Sequence, residues 1–326
     1  MKITLAEIAR RSGVSKTTAS FVLNNKQTSI GISPETVAKV REVMEALNYR
    51  RDEAATELAR GKRRKTRVLL LSPWLNAVKS FFMNEVMRAA ADYRQELDFG
   101  YGMYSPGELR QTLDKTGRSD WRVVVGTSAK DDKYLRELGQ DGQIIALNRQ
   151  LEGVTCFAPD NFKGGKMLAA RCLAGGHYEE YVILAPAVRS DAAARRIEGL
   201  RDGLKAGKIR PRELVIGDGQ TLAGSMDALL AVAGGKKTMV FAQIDSQAAE
   251  CVSFLTRRGH AVPGQFGVSG FDNETLAAIM TPSISTVDSK TYELAAAAFK
   301  GVLEGTLRRG ECCLFEPEVI IRESTK

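Results

Sequence analysis

Apolar positions follow two rhythms along the chain. Over the first fifty residues they recur at helical spacing: Leu5, Ile8 and Ala9, then Ala19, Val22 and Leu23, then Val37, Val40, Met44 and Leu47. Each set lays a stripe along one short helix. From Arg67 the rhythm changes to continuous apolar runs: VLLLS at 68–72, WRVVVG at 121–126, QIIAL at 143–147, YVILA at 181–185, TMVFA at 238–242 and FGVSGF at 266–271. Helical patterns over roughly 81–97, 130–138, 162–174, 191–206, 223–234 and 246–259 separate them. Unbroken apolar strands alternating with helices predict parallel sheets covered on both faces. About ten strands in this order suit two doubly wound lobes, which take ligands at the carboxyl ends of their strands. The expected fold is an all-α N-terminal domain followed by a two-lobed α/β domain.

Local signals sharpen the N-terminal part. Thr4-Leu-Ala-Glu7 is a capping box, Gly13 suits the left-handed end of the first helix, and Ser15 suits the cap of the second. Ser33-Pro34 opens the third. Two short helices divided by a glycine turn form the helix-turn-helix pattern, whose second helix enters the major groove of DNA. The outward side of that helix carries Lys16, Thr17, Ser20, Phe21 and Asn24. The plainer reading is a solvated polar face. Phe21 argues against it, because an exposed phenylalanine on a small basic domain is costly unless something covers it. A phenylalanine can press on a thymine methyl, a lysine can donate to guanine, and a threonine serves either base type.

Charge supports the division. Residues 1–67 hold 15 Lys/Arg against 7 Asp/Glu, and this surplus equals the whole formal net charge of +8. A basic module ahead of a neutral body suits contact with a polyanion, although a basic tail that aids solubility has the same balance. The composition, 44% hydrophobic and 26% charged, is that of a globular chain. No apolar run is long enough to cross a membrane, and the N-terminus lacks the pattern of a signal peptide. The cysteines at 156, 172, 251, 312 and 313 show no CxxC spacing and are expected to be reduced thiols in a cytoplasmic protein. With only His177 and His260, no metal site, cofactor or catalytic group is expected. No phosphate-binding P-loop, GxGxxG or GxSxG follows a strand.

The stretch ITLAEIARRSGVSKTTASFVLNN, then ISPETVAKVREVMEALNYR, resembles the N-terminal domain of the lac-repressor (LacI/GalR) family of transcriptional regulators. The segment from Asn24 to Thr36 is about three residues longer than in the lac and purine repressors. That length and the string TTASFV are similar to the fructose-repressor branch. The resemblance continues through SPWLNAVKSFF, IIALNRQLEG, APDNFKGGKMLA, ARRIEGLRDGLK, VFAQIDSQA, GVSGFDNETLAAIMTPSISTV and PEVIIRES. It implies a periplasmic-binding-protein-like body with lobes at about 67–160 plus 289–318 and 161–288 plus 319–326, after a helix-turn-helix at 1–51 and a hinge at 52–66. It further implies a homodimer on a two-fold-related operator in double-stranded DNA. Lys16, Thr17 and Phe21 would read bases, with Thr4, Ser15, Ser20 and Asn24 holding phosphates or buttressing the helix. In the hinge, Ala55 and Leu58 would meet the minor groove, Leu58 as a wedge. Arg51, Thr56 and the acidic Asp52, Glu53 and Glu57 depart from the family there, and an ordinary linker remains the alternative.

For a small effector between the lobes, such as a sugar, sugar acid or sugar phosphate, the resemblance points to Arg196 of Arg-Ile-Glu-Gly199, Asp272 of Gly-Phe-Asp, and Asn148. Ser72, Trp74, Phe81 and Phe82 flank the first strand as a candidate pocket wall. An arginine fork suits hydroxyl pairs, carboxylates or phosphates, though a surface salt bridge explains one as well. Asp160 and Asp288 fall near the crossovers between lobes, where structural bonding competes with ligand contact. Ala192, Ile244 and Gly219-Gln220 replace residues that in relatives add polarity or stacking area. The rival readings are a sugar-binding protein with no regulatory role on DNA, a sugar-processing enzyme and a nonspecific DNA-packaging protein.

Overall fold

The helical stripes at the N-terminus fold as α1 (Leu5–Ser12), α2 (Lys16–Leu23) and α3 (Pro34–Ala46). The computed structural model describes residues 5–23, 31–47, 65–73, 80–116, 120–139, 143–175, 178–187, 190–216 and 223–326. The chain divides into two compact units, Met1–Arg64 and Lys65–Lys326. In the first, Gly13 turns between α1 and α2 at φ +65°, a region that favours glycine. Ser15 caps α2 by accepting from the Thr18 amide at 3.0 Å, and Ser33 caps α3 by accepting from the Thr36 amide at 3.3 Å. The core is small: Ile8, Val22 and Val40, with Val37, Met44 and Leu47 packed around them. The Glu7 carboxylate takes Arg10 at 2.6 Å and Arg11 at 2.7 Å, while Thr4, its expected capping-box partner, lies outside the described residues.

The second unit alternates strand and helix. In chain order come β1 (Thr66–Ser72), α4 (Ser80–Asp92), β2 (Leu97–Met103), α5 (Leu109–Asp114), β3 (Trp121–Val125), α6 (Ala129–Leu138), β4 (Ile144–Leu147), β5 (Cys156–Pro159) and α7 (Asn161–Gly175). There follow β6 (Glu180–Pro186), α8 (Asp191–Leu204), β7 (Arg212–Ile216), α9 (Ala223–Ala233), β8 (Thr238–Phe241), α10 (Asp245–Arg257) and β9 (Phe266–Ser269). The chain closes with α11 (Thr275–Ile279), β10 (Thr286–Asp288), α12 (Thr291–Glu304), β11 (Cys312–Phe315) and β12 (Glu318–Ile320).

Two parallel sheets carry the two lobes. The first has the order β11-β5-β4-β3-β1-β2 and the second β7-β6-β8-β9; β10 and β12 form a separate antiparallel pair. α12 packs into the core of the first lobe through Leu294, Ala298 and Phe299, whereas Val287 of β10 belongs to the core of the second. The chain therefore crosses between lobes three times: from β5 into α7, from β10 into α12, and from β11 into β12. This is the two-lobed, doubly wound arrangement that the alternating pattern predicts.

The expected helix over 81–97 differs from the fold. It ends at Asp92, and Leu97 already opens β2. LDFGYGM carries no apolar run because β2 is an edge strand and two of its residues are glycine. At Gly102 a Cβ would come within 2.7 Å of the Leu71 side chain on the neighbouring strand. The remaining strands that the sequence conceals, β5, β7, β10, β11 and β12, span three to five residues. Such lengths leave no periodicity to read.

Candidate functional site

The first candidate surface is the outer face of α2. Lys16 and Thr17 in its first turn are exposed, and Ser20 and Phe21 one turn later are half-buried, while Ala19 and Val22 point into the core. Helical periodicity thus sorts the residues as expected, except that Phe21 is partly sheltered rather than fully exposed. Ser15 is fixed by its cap and by a hydroxyl–hydroxyl bond to Thr18 at 2.9 Å. Thr4, Asn24, Ala55 and Leu58 lie outside the described residues.

The second is the cleft between the lobes, and its geometry begins with two glycines. A Cβ on Gly199 would fall 2.0 Å from the Phe162 carbonyl oxygen, and one on Gly165 would fall 2.4 Å from the Arg196 carbonyl oxygen. Helices α7 and α8 therefore touch backbone to backbone. This contact sets Arg196, one turn before Gly199, beside the start of α7. Its Nε donates to Asn161 Oδ1 at 2.8 Å, Nη1 to the Gln243 carbonyl at 2.6 Å, and Nη2 to Asp272 Oδ1 at 2.7 Å. The guanidinium also lies 3.8 Å from the Phe271 ring centroid. Arg196 is only 4% exposed, so its charge is held by Asp272 in place of water. Asp272 adopts φ +96°, outside the regions open to most side chains, and Asn148 φ +55°. Strain of this kind persists where surrounding contacts over-determine the backbone.

Hydrogen bonds at the cleft join the two lobes. Asn161 Nδ2 at the start of α7 donates to Asn148 Oδ1 at 3.2 Å, and the Gln150 amide donates to Asp191 Oδ2 at 3.1 Å. Arg149 lies between these bridges and is buried. It donates to Thr127 Oγ1 at 2.9 Å, the Thr127 carbonyl at 2.8 Å and the Asn148 carbonyl at 2.9 Å. Burial lowers its pKa, with Asp132 and Asp191 opposing.

Behind Asp272 the second lobe holds two strained carboxyls. Burial pushes Asp245, the first residue of α10, up to about 8, against its hydrogen bonds to Thr286 and the Glu274 amide. Burial, and then the charge of Asp272, pushes Glu274 up to about 7. Among the described residues, Asp245 Oδ1 and both side-chain amide atoms of Gln243 have no hydrogen-bond partner.

The structure thus brings Arg196, Asp272 and Asn148 into one network. Ser72 is buried at the end of β1, and Phe82 packs against the core of the first lobe; Trp74 and Gly219-Gln220 lie outside the described residues. Asp160 caps α7 by accepting from the Lys163 amide at 2.9 Å, and Asp288 accepts from Lys290 at 2.8 Å, so both make structural bonds. Sequence reasoning missed Asn161, Arg149 and Gln243. Asn161 had a signal, since it follows Asp160 at a strand-to-helix junction. Arg149 and Gln243 had none. Among the described residues no three His, Cys, Asp or Glu side chains are placed to hold a metal ion, and no helix is long and apolar enough to cross a membrane.

A three-helix DNA-reading unit followed by a two-lobed cleft defines a ligand-responsive regulator. Residues 4–52 match the bacterial regulatory proteins of the lacI family, and residues 169–325 match the periplasmic binding protein-like domain. The chain is 28% identical over 336 residues to the HTH-type transcriptional regulator GalS of Salmonella typhimurium, covering 99% of this chain and 96% of that protein. It is 28% identical over 313 residues to the ribose operon repressor of Bacillus subtilis, covering 92% and 90%. Its fold resembles a lac repressor dimer bound to operator and the anti-inducer ONPF, with a TM-score of 0.68 at 19% identity, covering 100% of this chain and 99% of that one. The chain is thus a DNA-binding transcriptional regulator similar to those of the lacI family. Such relatives are DNA-binding transcriptional regulators and repressors whose action is modulated by small-molecule effectors.

Proposed function

We propose that the protein is a cytoplasmic homodimeric repressor in which Lys16, Thr17 and Phe21 read operator bases and Arg196, Asp272, Asn148 and Asn161 receive the effector. The observation that carries this reading is the Arg196 network, which reaches across the cleft through Asn161 and Asn148. A ligand that competes for these partners changes the bonds that hold the lobes together. By linkage, operator DNA then alters effector affinity by the same factor. The charge of Arg196 is already balanced by Asp272. That balance favours a neutral polyhydroxyl effector, a sugar or glycoside, over a sugar acid or sugar phosphate, which would need a spare positive charge. The long segment between α2 and α3 and the string TTASFV support a DNA reader of the fructose-repressor type. Ala55 and Leu58 complete the proposed contacts as hinge residues in the minor groove.

Selection from random double-stranded DNA is the direct test. The expected result is a two-fold symmetric motif; the repressor assignment fails should no motif enrich. Thermal shift against neutral sugars, sugar acids and sugar phosphates then tests the pocket, with Arg196→Ala as control. Stabilisation by anionic compounds alone would overturn the charge argument. An unchanged response of Arg196→Ala would overturn the site.

A further inference from the structure

Apart from the cleft, the first sheet ends in a pair of thiols. Strands β5 and β11 run parallel, and Cys312 is the register partner of Cys156. Paired residues of neighbouring strands project to the same face, with backbones about 4.7–4.9 Å apart. That spacing lies inside the range of about 4.4–6.8 Å between Cα atoms that a disulfide spans. The two side chains also share one core cluster with Leu151 and Val154. The Cys156 sulfur accepts from the Leu151 amide at 3.4 Å, and the Cys312 thiol donates to the Arg149 carbonyl at 3.6 Å.

The hydrogen bond between the two thiols holds Cys156 below the usual thiol range and Cys312 above it; burial opposes the first shift and adds to the second. Cys156 is fully buried, whereas Cys312 is half-exposed. Cys312, the part-exposed member of the pair, is the sulfur that a small oxidant meets first. The other thiols are placed differently: Cys172 and Cys251 are buried in cores of the second lobe, and Cys313 alternates to the opposite face of β11.

We propose that Cys156 and Cys312 form a reversible oxidation site that closes an intramolecular disulfide with hydrogen peroxide. One sulfur, as thiolate, attacks a peroxide oxygen. An S–O bond forms, the O–O bond breaks, and hydroxide leaves to become water by taking a proton. The second sulfur displaces the hydroxyl of the resulting sulfenic acid, so that the S–S bond forms and a second water leaves. Two thiols lose two electrons and one peroxide becomes two waters. The bond would tie β5 to β11, the strands from which the first and third crossovers depart.

The test treats the folded full-length chain with one equivalent of hydrogen peroxide, followed by alkylation, unfolding and peptide mapping. The expected result is loss of two of the five thiols, a Cys156–Cys312 linked peptide, and full recovery with dithiothreitol. Cys313→Ser should keep the linkage and Cys312→Ser should abolish it. Oxidation confined to Cys313, a disulfide between chains, or a Cys156–Cys312 link that forms only after unfolding would each overturn the proposal. The mapping of the unsubstituted chain decides the matter by itself should Cys312→Ser fold poorly. Since the readout is mass, the result does not depend on the regulatory reading of the cleft.

Discussion

The face of α2 and the cleft around Arg196 solve opposite problems. Lys16 and Thr17 stand in solvent, where water satisfies them until a partner arrives. Arg196 and Asp272 are withdrawn from water and satisfy each other. A surface that reads an absent partner has little folding energy invested in it. A cleft that switches must hold substitute partners in its resting state, because a buried charge without one costs several kcal/mol. Mutations should therefore separate the two regions. Cleft substitutions disturb the fold and the response together, whereas substitutions on α2 disturb recognition alone.

The largest effect is expected from Arg196→Ala. It strands Asp272 in a buried site and removes the anchor of Asn161, at a cost of about 3–5 kcal/mol in urea unfolding of the body. Pairing it with Asp272→Asn should recover much of that loss, and the double-mutant cycle measures how much. A single substitution as stable as the parent would mean that the pair is not buried in solution, and the contrast with α2 would collapse.

Next comes Gly199→Ala. The added methyl meets the Phe162 carbonyl oxygen at 2.0 Å, so α7 and α8 must part. Overpacking of this kind costs about 1–3 kcal/mol. It should also weaken the effector response, because the same contact places Arg196. A fall in stability with an intact response would show that the arginine is positioned by its hydrogen bonds and not by the helix contact.

These cases also show what the sequence discloses. The two-lobed fold was legible because β1, β3, β4, β6, β8 and β9 carry continuous apolar runs, and helix-turn-helix geometry because its caps and stripes are local. β2 was hidden by its place at the sheet edge: two glycines and exposed Tyr101 and Met103 leave no apolar run. In the cleft, Arg196, Asp272 and Asn148 were legible only through resemblance to a family. Nothing local marks an arginine in a helix as the centre of a network. Arg149 and Gln243 escaped because their roles depend on backbone carbonyls and burial, which chain order does not encode. Asn161 escaped although its neighbour Asp160 was noticed. The helix cap and the arginine partner are adjacent residues facing different ways, and only the folded α7 separates them.

The third effect is a pH dependence. Asp245 titrates near 8 in the folded body and Glu274 near 7, both raised by burial. Across the window from about 4 to 8 the folded state then holds protons that the unfolded chain has released. Stability of the body should fall as pH rises through that window, by about 1.4 kcal/mol per pH unit for each such proton. Asp245→Asn preserves an acceptor for the Glu274 amide and should flatten the profile between pH 5 and 8, as read from unfolding midpoints. A profile identical to the parent's would show that Asp245 is ionised and solvated. The helix-turn-helix unit offers a contrast: its Glu7 is pushed the other way, down to about 2, by hydrogen bonds from Arg10 and Arg11.

The smallest change in stability is expected from Lys16→Ala. The side chain is exposed in the first turn of α2, so unfolding midpoints should move by no more than about 0.5 kcal/mol. Its effect belongs on DNA. A lysine that donates to a base edge loses about 1–3 kcal/mol of discrimination at one position in each half-site when removed, with little loss elsewhere. A phosphate contact instead weakens all sequences alike and lowers the slope of affinity against salt by about one. Competition between the selected operator and variants altered at single positions distinguishes these outcomes. Uniform weakening would reassign Lys16 to the backbone and leave Thr17 and Phe21 as the readers. A marked loss of folding stability would break the comparison itself, because it would show that the reading face also holds the small domain together.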